Sequence, residues 1–404
     1  MTADIYLDNS ATTKVRPEVI DAMLPHLVES WGNPSSIHES GRQARKAVEK
    51  ARAQVAKLIN AKPSEIFFSP GGTASNNTAI LGRAKFVEER NLGRHLITTS
   101  IEHSSALSPA KHLRSQGWDV TILGVTEDGS IDLNALERAI RPDTSIISIM
   151  WANNEIGTIQ PIQQIADLAK ALGIYFHCDA IQAAGRIPID VSKVKVDTLS
   201  LSGHKFYGPK GVGVLYVREG VQVRPLVLGG GQERALFPGT ESVANIVGIG
   251  KAAELVADEI LVNEAHLRDL QRLIIGRLTR YGSVRLTGPK DLSKRIPGHV
   301  SLVVTGARGS EVVDAANLRG VFISSVSACS SGGGSPSHVL KSIGLDDDEA
   351  LGALRITAGR FNTEFDVRRA ADIIADLVAA RTINLGCVFH HPIYQQVVAA
   401  PSFF

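Results

Sequence analysis

Two kinds of hydrophobic pattern alternate along the chain from about residue 40 to residue 220. Residues 40–60 place Ala44, Val48, Val55 and Leu58 at helical spacing. Short apolar runs typical of buried strands follow, separated by segments with helical spacing or turn residues. The predicted strands are 65–68, 95–98, 120–123, 145–150, 174–177, 198–201 and 212–217. This alternation predicts an α/β fold with a mainly parallel seven-stranded sheet covered by helices.

A long helical pattern over residues 245–281 leads out of this core, and any break in it is expected near Asp258. The strands predicted after it, 283–286, 300–304, 321–323 and 354–357, suit a smaller α+β domain. We therefore expect a large domain over residues 15–258 and a small domain built from 1–14 and 259–386. The small domain includes a loop rich in Ser and Gly at 330–337. The packing of the tail, 387–404, is not predicted.

Composition narrows the class of protein. The 404 residues are 44% hydrophobic and 21% charged, as in globular proteins, and the net charge of +2 is spread without blocks of one sign. Nucleic acid and membrane are therefore not expected as partners. Residues 1–10 do not resemble a secretory signal. The three scattered cysteines, Cys178, Cys329 and Cys387, suit free thiols in a reducing cytoplasm better than a disulfide framework.

The strongest candidate for chemistry is Lys205, within the sequence SGHKFYG at 202–208, directly after a predicted strand. A lysine at a strand end beside glycines can be held partly out of water, where its amine acts as a Schiff-base nucleophile. Taken alone, a solvated loop lysine is the more common outcome. The neighbouring motifs decide between the two.

Asp179 follows the strand near residues 174–178, at the sheet edge where ligand crevices form. A buried carboxylate is stable there when it faces a cation, and a protonated pyridine nitrogen is one. The alternative is that Asp179 caps the turn through Ala180 and Ile181.

A phosphate and a ring could be bound nearby. Gly71, Gly72 and Thr73 lie between a predicted strand and a predicted helix, so N–H groups and a hydroxyl can converge on a phosphate, although such a triplet is usually only a turn. His103 could stack on a ring or transfer protons, and a surface histidine is an equal alternative.

Other site types lack support in the sequence. No glycine-rich nucleotide-binding motif follows a strand. His177, Cys178 and Asp179 are consecutive strand residues, so they cannot all face one metal ion, and no metal site is expected. The pair His390 and His391 in the tail is equally weak as a metal motif.

Together these segments resemble the class V aminotransferase-like family of pyridoxal-phosphate enzymes, and within it the cysteine desulfurases of iron–sulfur cluster assembly and nitrogen fixation. The similarity extends in order over about residues 5–380. The matching segments are YLDNSATT at 6–13, GNPSSIH at 32–38, GGTASNN at 71–77, EHSS at 102–105, NNEIGTIQPI at 153–162, DAIQAAG at 179–185, SGHKFYGPKGVG at 202–213, SACSSG at 327–332, PSHVL at 336–340 and LRITAGRFNT at 354–363.

The resemblance implies a fold-type I transferase whose large domain binds pyridoxal 5'-phosphate and whose small domain carries an active-cysteine loop. It implies catalytic roles for Lys205, which binds the cofactor covalently, for Cys329 and for His103, which stacks on the ring. The implied cofactor contacts are Asp179 to the pyridine nitrogen, Gln182 to the ring hydroxyl, Asn154 to the ring, and Gly72, Thr73, Ser202, His204 and, from a second subunit, Thr240 to the phosphate. Asn154 and Arg355 are the implied substrate ligands, with Arg355 binding the carboxylate.

The implied reaction converts L-cysteine to L-alanine and leaves the sulfur on Cys329 as a persulfide. The flanking serines and glycines favour an accessible thiolate there over a buried cysteine. The implied partners are a second copy of the chain in a homodimer and a sulfur acceptor or iron–sulfur scaffold, where Cys329 could contact a nascent cluster. A cytoplasmic enzyme is expected.

Several residues depart from the family pattern. Phe237 and Pro238 stand where many relatives have an arginine before Gly-Thr, Ala74 replaces a common glutamate, and Val326 replaces a common glycine. Valine there restricts the backbone before the cysteine loop. The alternatives are a selenocysteine lyase, a class V aminotransferase, or a sulfur-carrier platform that is active only with a partner.

Overall fold

A computed structural model describes residues 4–326 and 335–383. Its largest sheet has seven strands in the order β2-β8-β7-β6-β5-β3-β4. Strand β8 runs antiparallel to both of its neighbours, and the other pairs are parallel. The strands are β2 (Ile66–Ser69), β3 (His95–Thr99), β4 (Asp119–Leu123), β5 (Thr144–Ser148), β6 (Tyr175–Asp179), β7 (Thr198–Ser202) and β8 (Gly213–Val217). The predicted seven-stranded, mainly parallel sheet is confirmed, with strand ends shifted by up to two residues.

Every residue of β3, β6, β7 and β8 is buried, because helices cover both faces of the sheet. Helix α3 packs Ala44, Val48 and Val55 against the sheet, and His38 accepts a hydrogen bond from the Gly41 N–H at its start. The helices before and within this unit are α1 (Pro17–Met23), α2 (Pro25–Val28), α3 (Glu39–Leu58), α4 (Gly72–Asn77), α5 (Arg83–Glu89), α6 (Ser104–Ser115), α7 (Leu133–Ala139) and α8 (Ile162–Ala171).

A second hydrophobic core lies around a three-stranded antiparallel sheet of order β12-β10-β9. Strand β11 pairs with the N-terminal strand β1 in a separate two-stranded parallel sheet, and Ile5 and Val321 of these strands pack in the same second core. The elements are β1 (Ile5–Tyr6), β9 (Val284–Leu286), β10 (His299–Val304), β11 (Val321–Phe322), β12 (Ala353–Thr357), α10 (Gly309–Asn317), α11 (His338–Ser342), α12 (Asp347–Leu351) and α13 (Glu364–Ile383).

Helix α9 (Val243–Leu278) joins the two cores without a break at Asp258. Its residues up to Val256 pack in the first core, and those from Leu267 onward pack in the second. The domain boundaries given above stay a prediction, and the tail at 387–404 lies outside the described residues. Within the described residues, none of the helices combines the length and the apolar character needed to cross a membrane.

Candidate active site

The lysine predicted to carry the chemistry lies directly after β7, in a short 3-10 turn, Gly203–Lys205. Its Nζ donates to the backbone carbonyl oxygens of Ser10 and Ala11, at 2.6 and 2.8 Å. Thr13 links the same N-terminal segment to the lysine turn, because the Thr13 N–H donates a hydrogen bond to the His204 carbonyl oxygen at 2.9 Å. The N-terminal segment therefore fixes where the amine lies.

Asp179 ends β6 and is only 5% exposed. Its Oδ2 accepts from the Asn76 amide at 2.6 Å, and its Oδ1 accepts from the Ile181 N–H at 3.0 Å. The second bond is the turn-capping contact considered as an alternative. Asp179 therefore makes the turn-capping hydrogen bond and also faces the candidate site.

The surroundings of Asp179 raise the pKa of its carboxyl, because burial outweighs the effects that favour the charged form. Effects that lower this pKa are the Ile181 N–H, the charge of His103 when its ring is protonated, the Asn76 amide and the Lys205 charge. The nearby Glu102 carboxyl is fully buried, and burial raises its pKa to about 8. A carboxylate in such surroundings is stabilised by a cation placed against it.

His103 is the N-cap residue of α6 and is accessible to solvent. Its Nδ1 accepts from the Ser105 N–H at 3.1 Å and lies 2.8 Å from the Ser105 hydroxyl. Desolvation is the main cause that lowers the pKa of His103, and the Lys205 charge adds to it. The imidazole is therefore neutral near pH 7 in this environment.

Two amides predicted to contact a cofactor differ in their bonding. Gln182 is buried, and its Nε2 donates to the Ser10 carbonyl at 2.9 Å. Its Oε1 has no hydrogen-bond partner within the described part of the chain. Asn154 is held through its backbone, because its carbonyl oxygen accepts hydrogen bonds from the side chains of His299 and Arg355, each at 3.2 Å.

The predicted phosphate ligands lie around the start of α4. A side chain at Gly72 would collide with Ile181, and it would also lie 3.4 Å from the Ser202 Cβ. Thr73 is exposed, and Ser202 is buried. His204 lies 3.1 Å from the Thr12 hydroxyl, and burial together with the Lys205 and Lys210 charges lowers its pKa to about 4.

Arg355, in β12, is almost fully buried at 1% exposure. Its guanidinium forms an ion pair with Asp8 at 2.8 Å and donates to the Asn154 carbonyl oxygen. Its Nε has no partner among the described residues. Arg355 therefore has a donor that its present contacts leave unused.

Thr240 is exposed and lines a groove of about 340 Å³ near the start of α4. Ala74, Phe237 and Pro238, which depart from the family pattern, line the same groove. These three departures from the family pattern therefore lie on one surface of the chain. They do not alter the residues around Asp179.

Cys329, Cys387 and the His390–His391 pair lie outside the described residues. Val326, three positions before Cys329, has a φ of +43° and is 2% exposed, so a β-branched residue occupies a conformation that suits glycine. Cys178 is buried in the sheet, and burial raises the pKa of its thiol well above the ordinary value. Within the described ranges, no group of three or more His, Cys, Asp or Glu side chains could hold a metal ion.

Some contributors were not singled out from the sequence. Asn76 and Ser105 contact the two groups that face the site, and Asp8 pairs with Arg355. Each lies inside or beside a motif that was recognised as a whole, but spacing along the chain gives no sign of these contacts. The carbonyl groups of Ser10 and Ala11 are invisible to any side-chain pattern.

The two cores, the mixed seven-stranded sheet and the lysine turn after β7 define the α/β class of fold-type I pyridoxal-phosphate transferases. The class V aminotransferase family model matches residues 5–370. The chain belongs to this family, as the sequence motifs predicted.

Similar proteins point to one branch of the family. The chain is 44% identical over 382 residues to cysteine desulfurase IscS of Clostridium botulinum, covering 94% of this chain and 96% of that protein. A solved NifS-like protein is 37% identical with a TM-score of 0.87, covering 93% of this chain and 100% of the other. SspA in complex with cysteine is 37% identical with a TM-score of 0.78, covering 89% and 100%.

Proposed function

We propose that the chain is a pyridoxal-phosphate-dependent cysteine desulfurase that converts L-cysteine to L-alanine and transfers the sulfur to Cys329. The observation that carries the proposal is the buried Asp179 carboxylate at the end of β6, with the Lys205 amine in the turn after the neighbouring strand β7. The relative from Clostridium botulinum, named cysteine desulfurase, and the SspA structure with cysteine support this substrate.

The residues present fit pyridoxal phosphate. A buried carboxylate suits a pyridinium nitrogen, and the Gln182 Oε1 without a partner suits the ring hydroxyl. Gly72 begins α4 next to Ser202, so the backbone N–H groups at the start of this helix and the Ser202 hydroxyl suit a phosphate. When bound, the cofactor supplies an electron sink for charge that develops at the substrate α-carbon.

Lys205 would hold the cofactor and then move the proton at the substrate α-carbon. The Ser10 and Ala11 carbonyls direct its Nζ, so the amine stays in one place when it is released from a covalent bond. His103 is neutral in its present surroundings and can cover the ring face without adding positive charge.

Cys329 would attack the substrate sulfur as a thiolate. The bond between the two sulfur atoms forms as the carbon–sulfur bond breaks, and the electron pair of the broken bond stays with the carbon skeleton, which is protonated to alanine. The products are one alanine and one persulfide for each cysteine consumed. The motif SACSSG, with its small residues, supports an accessible thiol.

Mass spectrometry after incubation with L-cysteine tests this function. The wild type should release alanine and carry one extra sulfur atom on Cys329. Cys329→Ala should keep the absorption band of the lysine-bound cofactor but lose the persulfide and useful alanine release, while Cys387→Ala should behave as the wild type. Lys205→Ala should lose the band itself. Full alanine production by Cys329→Ala would favour a lyase or an aminotransferase.

Arg355 is the proposed ligand of the substrate carboxylate. Its Nε lacks a partner among the described residues, and Asp8 holds the rest of the guanidinium in place. Arg355→Lys keeps the charge but loses the two-point geometry. It should raise the apparent KM for cysteine by roughly 10- to 100-fold with little effect on cofactor affinity. An unchanged KM would remove Arg355 from the substrate site.

The assembly and setting are also proposals. A homodimer in the cytoplasm, with Thr240 of one subunit reaching the phosphate of the other, would explain why Thr240 is exposed in a single chain. The sulfur would then pass to an acceptor or an iron–sulfur scaffold. Size-exclusion chromatography with light scattering checks the dimer, and transfer of labelled sulfur to a purified scaffold protein checks the acceptor.

A further inference from the structure

Asn76, in α4, is completely buried beneath the site, at 0% exposure. Its Nδ2 donates to Asp179 Oδ2 at 2.6 Å and to Ser105 Oγ at 2.8 Å. Its Oδ1 lies 3.1 Å from His177 Nε2. One amide thus links a buried histidine to both groups that would face a cofactor.

The contacts toward His103 fix where the hydrogens lie. The Ser105 N–H donates to His103 Nδ1, so that nitrogen carries no proton. The Ser105 hydroxyl, 2.8 Å from the same nitrogen, therefore donates to it, and its oxygen is free to accept a hydrogen bond. Asn76 supplies that hydrogen from its NH2 group, and the second hydrogen of this group goes to Asp179.

The contacts on the other side agree with this orientation. Asn76 Oδ1 is an acceptor, so His177 must carry its proton on Nε2. His177 Nδ1 then accepts from the Thr198 hydroxyl at 2.9 Å. The Tyr175 hydroxyl shares its one hydrogen between the Thr198 hydroxyl, at 2.6 Å, and the Ala79 carbonyl, at 2.9 Å. A reversed amide would place Oδ1 2.6 Å from Asp179, which is possible only when Asp179 is protonated.

We infer that Asn76 is a positioning residue: it holds Asp179 as a carboxylate and, through Ser105, keeps the proton of His103 on Nε2. The inference rests on the proposed function only in that Asp179 and His103 are taken to face the cofactor. A single buried amide would then set the charge of one cofactor contact and the tautomer of the other.

Two substitutions of Asn76 separate this role from packing. Asn76→Leu has a similar size but removes the donor to Asp179, and it should weaken pyridoxal-phosphate binding by roughly 10- to 100-fold. Asn76→Asp keeps a donor only while the new carboxyl is protonated. Its cofactor affinity should be near that of the wild type at mildly acidic pH and fall as pH rises, because two carboxylates then face each other.

The pH dependence must be read with the other ionisable groups: His103, Lys205, Glu102 and Cys178 act on Asp179, and His177 contacts position 76 itself. All of them are present in the wild type and in the variants, so the difference between their pH profiles isolates position 76. Asn134→Asp, on the exposed surface of α7, adds the same charge away from the site and should keep the wild-type profile. Circular dichroism and thermal unfolding verify that each variant is folded.

The nitrogen-15 spectrum of histidine-labelled, cofactor-free chain gives a readout that does not need the cofactor. His177, assigned by substitution, should be protonated on Nε2 and unprotonated on Nδ1. The opposite tautomer, or a wild-type pH profile for Asn76→Asp, would overturn the inference. Failure of the wild type to bind pyridoxal phosphate would instead contradict the proposed function, and the tautomer of His177 would still decide the role of Asn76.

Discussion

The floor and the rim of the site satisfy their polar groups in different ways. The floor, formed by Asn76, Asp179 and His177, is buried, and its side chains bond to one another or to neighbouring strands. The rim, formed by Thr73 and Thr240, is exposed, and neither hydroxyl has a hydrogen-bond partner within the described part of the chain. Side chains of one chain therefore satisfy the polar groups of the floor, whereas the rim leaves its two threonine side chains exposed to solvent.

The largest effect is expected from a change in the floor. Asp179→Asn keeps the shape but removes the negative charge that would face the pyridine nitrogen. Loss of one partner from a buried charge pair costs about 3–5 kcal/mol, which corresponds to a decrease of roughly 10²- to 10⁴-fold in kcat/KM for cysteine. The steady-state rate of alanine formation measures it. A decrease of less than tenfold would mean that Asp179 is only a turn-capping residue.

Glu102, beside the floor, gives a pH-dependent prediction. Burial raises its folded-state pKa from an ordinary 4.5 to about 8. Its contribution to stability is therefore fully present below pH 4.5 and is lost as pH rises toward 8. Glu102→Gln cannot ionise, so it should remove on the order of 5 kcal/mol of the decrease in unfolding free energy across this window.

Urea unfolding at several pH values measures this contribution of Glu102. The exposed Glu137→Gln serves as a control and should keep the wild-type slope. If Glu102→Gln and the wild type lose stability in parallel as pH rises, Glu102 is already ionised in the folded protein near neutral pH.

The sequence predicted some residues of the site but not the contacts between them. Asp179 could be anticipated because the carboxyl end of a parallel strand is where ligand crevices form. Asn76 could not, because its bond to Asp179 joins residues 103 positions apart, and a buried asparagine leaves no periodic signal. The pair of Asp8 and Arg355, 347 positions apart, was missed for the same reason.

Local patterns were sufficient for the elements of the fold. The spacing of Ala44 and Val48 predicted α3, and the apolar runs predicted all seven strands of the large sheet. The pairing of β11 with β1 was not predicted, because strand partners depend on long-range packing that a run of two or three apolar residues does not encode.

A change at the rim should have a smaller effect. Thr240→Val removes one hydroxyl from the proposed phosphate contacts, so pyridoxal-phosphate affinity should fall by about tenfold, the equivalent of one good hydrogen bond. Equilibrium titration of the cofactor-free protein measures it. At a cofactor concentration that does not saturate Thr240→Val, its mixed dimers with Lys205→Ala chains should recover one intact site, because the functional Lys205 and the intact Thr240 then meet across the interface.

Thr73→Val is the matched control for this mixing experiment. Thr73 would act within its own chain, so its mixture with Lys205→Ala should contain no intact site and should not recover activity. If both mixtures behave alike after verified subunit exchange, Thr240 does not reach across to a second subunit.

The smallest effect is expected at Val326, whose backbone conformation is strained and which is the last described residue before position 327. Val326 packs with Ile101 and Met150, and burial of a valine side chain stabilises by about 1.5–3 kcal/mol. Its φ of +43° opposes this by about 1–3 kcal/mol. Val326→Ala loses packing but keeps the strain, whereas Val326→Gly loses packing and relieves the strain. We therefore expect the glycine variant to be at least as stable as the alanine variant in urea unfolding.

Val303, in strand β10 of the same hydrophobic cluster, is the matched control. There the glycine variant should be less stable than the alanine variant by about 0.5–1 kcal/mol, because glycine only adds flexibility to the unfolded chain. The same order at both positions would show that Val326 is not strained.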